Sequence, residues 1–155
     1  MPTTAWQELS QTPEEWDKLN YDDPRLDEFA GEVEKHYGLP QGVILALKNA
    51  GERTPSKASG RPTVSSAGAR GIMQFTAPAI KDFPHDPNDP FQSIDAAGRY
   101  MRDRLKKYSG DVWAAIADYN GGYTQGNPVL HGQRPPAAET QAYLKRIYNY
   151  MNKRG

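Results

Sequence analysis

The stretch GVILALKNAGERTPSKASG runs from Gly42 to Gly60. Val43, Ile44 and Leu47 recur at helical spacing, Pro40 opens the pattern, and it stops near Gly51. Beyond the break the residues turn small, polar and basic. Glu52 stands at the break, and between Glu34 and Asp82 it is the only acidic residue. A carboxylic acid beside a helix C-terminus feels the negative end of the helix dipole, which disfavours its anion. Burial in a cleft wall acts in the same direction. Both effects favour the protonated form that a general acid needs near neutral pH. The plain alternative is a solvated loop carboxylate paired with Arg53 or Lys57.

The rest of the chain reads outward from this break. Thr12-Pro13-Glu14-Glu15 supplies an N-cap, a first-turn proline and an acidic N3 residue, which predicts a short helix over 12–20 with Trp16 and Leu19 inward. Asp23-Pro24 opens a second helix, with Leu26, Phe29, Val33 and Tyr37 at helical spacing and Gly38 at its end. Beyond Glu52, Arg53 to Gly68 is rich in Ser, Thr, Gly and Pro and reads as loop or irregular β, and Gly71 to Phe75 as a short buried stretch. Thr76 caps a brief helix. Ser93 caps one with Ile94, Ala97, Met101 and Leu105 on one face. Asp111 caps another, with Val112, Ala115, Ile116 and Tyr119 inward, and Gly121-Gly122 stops it. Residues 123–137 read as a Gly/Pro loop. The last helix carries Tyr143, Leu144, Ile147 and Met151, and Lys153 and Arg154 suit its C-terminal end. The expected fold class is α+β, predominantly α-helical, with at most a small β-sheet near 60–75. Residues 1–21 form an N-terminal extension and 22–155 the domain.

Composition narrows the function. A chain of 155 residues is long enough for one compact domain that buries roughly 70% of its unfolded surface. Nineteen Lys and Arg balance nineteen Asp and Glu, a poor electrostatic footprint for nucleic acid or a membrane surface. There is no cysteine, hence neither a disulfide framework nor a thiolate metal site. His36, His85 and His131 have no metal-ligand spacing, and no cofactor motif is present. No apolar run approaches the ~20 residues of a membrane span. Residues 1–30 lack the basic start and apolar core of a secretory signal.

Four blocks then stand in order. After Glu52 come Ser65-Ser66-Ala67-Gly68-Ala69-Arg70-Gly71-Ile72-Met73-Gln74, then DPFQSIDAAGRYM from Asp89 to Met101. Next is Tyr119-Asn120-Gly121-Gly122, and last Glu139-Thr140-Gln141-Ala142-Tyr143. Together they resemble the lytic transglycosylase family of lysozyme-like enzymes. The resemblance implies a single lysozyme-like domain acting on the glycan strands of peptidoglycan, without metal or cofactor, as a monomer. It implies that Glu52 first protonates the leaving oxygen and then takes the proton of the muramoyl C6 hydroxyl, leaving a 1,6-anhydro sugar. A glycosidase of the usual kind needs two carboxylates. Here the substrate supplies the nucleophile, so a lone acid suffices. Ser65, Met73, Gln74, Tyr119, Asn120 and Glu139 match family positions that line sugar subsites or orient the acid. Each also has a plainer reading: Met73 and Tyr119 as core, Asn120 as a helix cap, Glu139 as a first-turn carboxylate. GIMQFT and GNPVL (Gly126 to Leu130) further resemble transglycosylase domains of bacteriophage virion proteins, which implies delivery in a phage particle, in company with other virion proteins.

The sequence departs from the family pattern near its acid. Counted from Ala46 as the family's helix alanine, the acid belongs at Gly51, and Glu52 comes one residue late. Arg53 follows where Ser is usual, and the loop to Ser65 is longer than the family's. A bulge around Gly51 would restore the geometry. Asp118 is the best second carboxylate. Lying seven residues after Asp111, it reads as part of a solvated helical face. If it instead faced the cleft, a hydrolytic muramidase would be the alternative. A non-catalytic glycan-binding or virion scaffold module is the alternative of a different class.

Overall fold

Asp23 accepts a hydrogen bond from the Arg25 amide (2.9 Å), Pro24 fills the first turn, and Gly38, at φ +66, ends the helix those residues start. This first helix, α1, spans Pro24–Tyr37. The computed structural model describes residues 23–52 and 69–154. The helix expected over 12–20 and the loop from Arg53 to Gly68 lie outside them. α2 spans Val43–Ala46 and runs directly into a π turn, Leu47–Gly51. α3 spans Ala77–Asp82, with the Thr76 hydroxyl accepting from the Ala79 amide. α4 spans Pro90–Lys107, α5 Val112–Gly121, α6 Tyr123–Leu130 and α7 Ala138–Arg154. Arg70 and Phe75 form an isolated antiparallel bridge, the only β pairing among the described residues. The described residues are thus predominantly helical, as expected. Among the described residues no helix is long and apolar enough to cross a membrane.

The chain falls into two compact units, divided between Arg99 and Tyr100. In the first, Leu26, Phe29, Ala30 and Val33 form the buried stripe of α1, as their spacing predicts. Phe29 meets Phe91 edge to face at 5.3 Å. α1 and α4 approach closely at Gly98, where a Cβ would strike Val33 and Tyr37. The Tyr37 hydroxyl donates to Asp95 beside this contact (2.7 Å). In the second unit, Met101, Ala114, Ala115, Ile116, Ala117, Tyr143 and Ile147 are buried.

Two expectations change. Asp89, not Ser93, caps α4: its carboxylate accepts from the Phe91 and Gln92 amides, so the helix starts with Pro90 in its first turn. Ser93 is buried one turn inside, and its hydroxyl donates to the Pro87 carbonyl (3.2 Å). Residues 123–130, read as loop, are helical. Gly126 is there because a Cβ would meet the Tyr108 hydroxyl and the Ala114 carbonyl, so packing rather than chain flexibility requires it. Pro128 falls within the last turn before Leu130.

Phe75 packs against His85 at 4.6 Å, edge to face. The His85 Nδ1 donates to the Phe83 carbonyl (2.8 Å), and Nε2 is buried with no hydrogen-bond partner among the described residues. Burial, together with the nearby Arg99, outweighs Asp86, Asp95 and the Phe83 carbonyl and pushes His85 below the ordinary histidine range. The unfolded chain therefore takes up this proton at about pH 6.5, before the fold does. Stability present above that pH is lost as pH falls. Urea unfolding of the wild type between pH 7.5 and pH 5.5 should show this loss, and His85→Gln should flatten the slope.

Candidate active site

Glu52 closes the π turn. Its amide donates to the Leu47 carbonyl, five residues back, at 2.8 Å. A π turn accommodates one residue more than an α turn, and such bulges recur at functional sites. The bulge expected around Gly51 takes this form, a π turn over Leu47–Gly51 immediately before Glu52. Gly51 is buried and Glu52 half-buried.

Met73 and Gln74 lie on the tight turn that the Arg70–Phe75 bridge closes. Arg70 and Phe75 exchange amide-to-carbonyl bonds of 2.9 and 3.0 Å. Gly71 sits at φ +80, and a Cβ there would run into the Pro87 carbonyl. Gln74 is also left-handed, at φ +54, which costs a residue with a side chain of order 1 kcal/mol. Its side-chain amide donates to the Gly71 carbonyl at 2.8 Å and braces that strained turn. Met73 is fully buried in the first unit's core. Ser65 lies outside the described residues.

Tyr119, Asn120 and Glu139 belong to the second unit. Tyr119 is half-buried, its ring meeting Tyr100 edge to face at 5.2 Å. The Asn120 side-chain oxygen Oδ1 accepts from the Thr140 hydroxyl at 2.7 Å, which ties the end of α5 to the first turn of α7, where Glu139 is exposed. Gly121 permits this join, since a Cβ would press on Gln125 and Thr140. The Gln125 side chain accepts from the Ala137 amide (2.8 Å) and draws α6 to the same corner. Thr140, from the Glu139–Tyr143 block, and Gln125, which lies outside the quoted motifs, are thus parts of this corner.

Asp118 is not on a solvated face. It is buried, and two groups of α4 and one just past its end converge on it. Tyr100 and Arg104 donate to Oδ1, the guanidinium at 2.9 Å, and Tyr108 donates to Oδ2. Arg104 also stacks over the Tyr100 ring at 4.4 Å. Burial first, and then the bond to Asp118, pushes both tyrosine hydroxyls above their ordinary range, so both remain donors. Burial opposes the charge of Arg104, but the bonded Asp118 and Asp103 carboxylates outweigh it and hold the guanidinium protonated. The signal is present in the sequence: Tyr100, Arg104 and Tyr108 are spaced by four, one polar stripe along α4 and just past its end. Asp111 misleads because it caps α5 and lies outside its helical faces.

Residues 30–139 match the Transglycosylase SLT domain. The chain belongs to this family. SLT transglycosylases are peptidoglycan-directed, and membership carries a glycan-cleaving function of the lytic transglycosylase type. Among the described residues of this SLT domain, no group of three or more His, Asp or Glu side chains is placed to hold a metal ion.

The Asp118 cluster makes a direct demand on stability. Asp118→Ala leaves the buried Tyr108 hydroxyl without its acceptor, the buried Tyr100 hydroxyl with only the residue 118 backbone carbonyl, and Arg104 with only Asp103. It should cost about 3–5 kcal/mol in urea unfolding. Asp118→Asn keeps one acceptor oxygen and should cost less.

Proposed function

We propose that this SLT domain is a lytic transglycosylase that cleaves the β-1,4 bond between N-acetylmuramic acid and N-acetylglucosamine and leaves a 1,6-anhydromuramoyl end, with Glu52 as its acid and base. The carboxylic acid of Glu52 gives its proton to the glycosidic oxygen as the C1–O bond breaks. The carboxylate then takes the proton of the muramoyl C6 hydroxyl as that oxygen bonds to C1. The carboxyl ends the cycle as it began, and no water enters the product.

The π turn carries this reading. Without it the family position would fall on Gly51, which has no side chain. With one residue absorbed between Leu47 and Gly51, Glu52 follows the turn directly. The saturation of Asp118 supports the same reading against a hydrolytic muramidase. Both of its oxygens are already taken inside the second unit, so the best second carboxylate is engaged elsewhere.

Mass spectrometry of muropeptides released from purified peptidoglycan tests the proposal. Anhydromuramoyl products are expected from the wild type. Glu52→Gln should lower their rate of release by roughly 10²–10⁴. Reducing-end products would replace the transglycosylase with a muramidase. No products from a folded wild type would leave a glycan-binding or scaffold module.

We also propose delivery in a phage particle, on the resemblance of Gly71 to Thr76 and Gly126 to Leu130 to virion domains. Proteomic analysis of purified virions from the host of this gene should detect its peptides, and their absence from intact particles would refute delivery by this route.

A further inference from the structure

Lys48 is fully buried within the π turn, four residues ahead of Glu52. A buried ammonium must be partnered. Its Nζ lies 3.0 Å from Asp27 Oδ1 and donates to the Asn49 side-chain oxygen at 2.8 Å. The Asn49 amide nitrogen donates to the same Asp27 oxygen at 3.2 Å. One carboxylate oxygen of α1 therefore grips two consecutive residues of the π turn.

Seven residues along α1, and so on the same helical face, the buried Glu34 grips the other end. Its carboxylate accepts from the amides of Gly42, Ile44 and Leu45 at 2.8, 2.8 and 3.1 Å. These are unsatisfied donors at the start of α2, whose N-cap, Gly42, has no side chain to meet them. The segment that ends in Glu52 is thus held at both ends by carboxylates of one helix.

A lysine is a poor choice if this site needs only stability, because an apolar side chain of similar volume serves a core as well or better. The best-attested use of such a pair is to select one register over another. Two registers compete here. A continuous α-helix would turn residues after Leu47 by a different angle from the π turn. In the π turn Lys48 and Asn49 meet the same Asp27 oxygen.

We infer that Asp27 is a positioning residue that, through Lys48 and Asn49, selects the π register and thereby fixes Glu52. The inference rests on Glu52 being the acid. Asp27 touches no reacting atom in this scheme, so its effect falls on turnover rather than on substrate affinity.

The test uses the full chain with Asp27→Ala, Asp27→Asn and Lys48→Met. Lys48→Met keeps the aliphatic stem and removes the buried charge, so it folds even where Asp27→Ala strands the ammonium. Amide hydrogen exchange by NMR reads the Glu52 N–H, which holds the π turn closed. Its protection should fall roughly ten-fold or more in Asp27→Ala and Lys48→Met, against unchanged amides in α4. On peptidoglycan, kcat should fall roughly 10- to 100-fold with KM near the wild-type value. Asp27→Asn, which keeps an acceptor oxygen, should recover most of both. Unchanged Glu52 protection in both variants would overturn the inference. So would lost protection with a wild-type kcat. A Glu52→Gln protein that cleaves normally would instead sink the acid assignment, and the exchange data alone would then decide the clamp.

Discussion

One residue inserted into a helix rotates everything after it by about 100°. A helix that delivers a single reactive carboxyl cannot absorb such a rotation silently. The π turn at Leu47–Gly51 takes up the surplus residue locally, and the hydrogen bond from the Glu52 amide to the Leu47 carbonyl closes it. α-Helical and π-helical turns differ little in backbone shape, so what surrounds the turn decides between them. α1 supplies that surrounding: the Glu34 carboxylate at the start of α2 and the Asp27 carboxylate at the π turn. Hydrogen bonds to a charged group contribute about 1.5–3 kcal/mol each, so three amides on Glu34 outweigh the missing cap at Gly42. The four-residue α2 is too short to hold itself and depends on this tertiary support.

The second unit solves a different problem with the same chemistry. Tyr100 and Arg104 on one face of α4, with Tyr108 just past its end, supply three donors, and Asp118 gives α5 one acceptor group with two oxygens. Neither set is tolerable in a core alone, and together they are satisfied. The tyrosine rings also serve packing. Tyr100 supports the Tyr119 ring, and the Tyr108 hydroxyl lies where Gly126 lets α6 approach. A buried polar network of this kind specifies one arrangement of its helices, since any slip strands a charge.

Helix ends are legible in the sequence where the cap is a local event. Asp23, Gly38, Thr76, Asp111 and Gly122 act on their own neighbours within four residues, and each can be read without the fold. Reading fails where a residue's role depends on a distant partner. Ser93 has the chemistry of a cap, but its hydroxyl bonds Pro87, and Asp89 takes the cap position instead. Gly126 and Pro128 look like loop residues until the Tyr108 hydroxyl explains the glycine. Asp118 looks solvated because its partners come from another helix. Of the site, Glu52 and the need for a bulge are legible from the count of residues after Ala46. The clamp is not, because Asp27 and Lys48 are far apart in sequence and each is unremarkable alone.

The proposed chemistry would demand precision at Glu52. An enzyme with two carboxylates can divide proton donation and nucleophilic or base work between them, and each group tolerates some misplacement of the other's target. When the substrate's own hydroxyl is the nucleophile, one carboxyl must reach the leaving oxygen and then the C6 hydroxyl within a single pose. Its position then enters both half-reactions, and an error in it is counted twice. Such a mechanism rewards a backbone that cannot rotate just before the acid. A one-residue insertion there would be the least tolerable change in the chain, unless the fold selects a turn that absorbs it. On this reading the buried Lys48, costly as a core residue, is the feature that made the insertion compatible with catalysis.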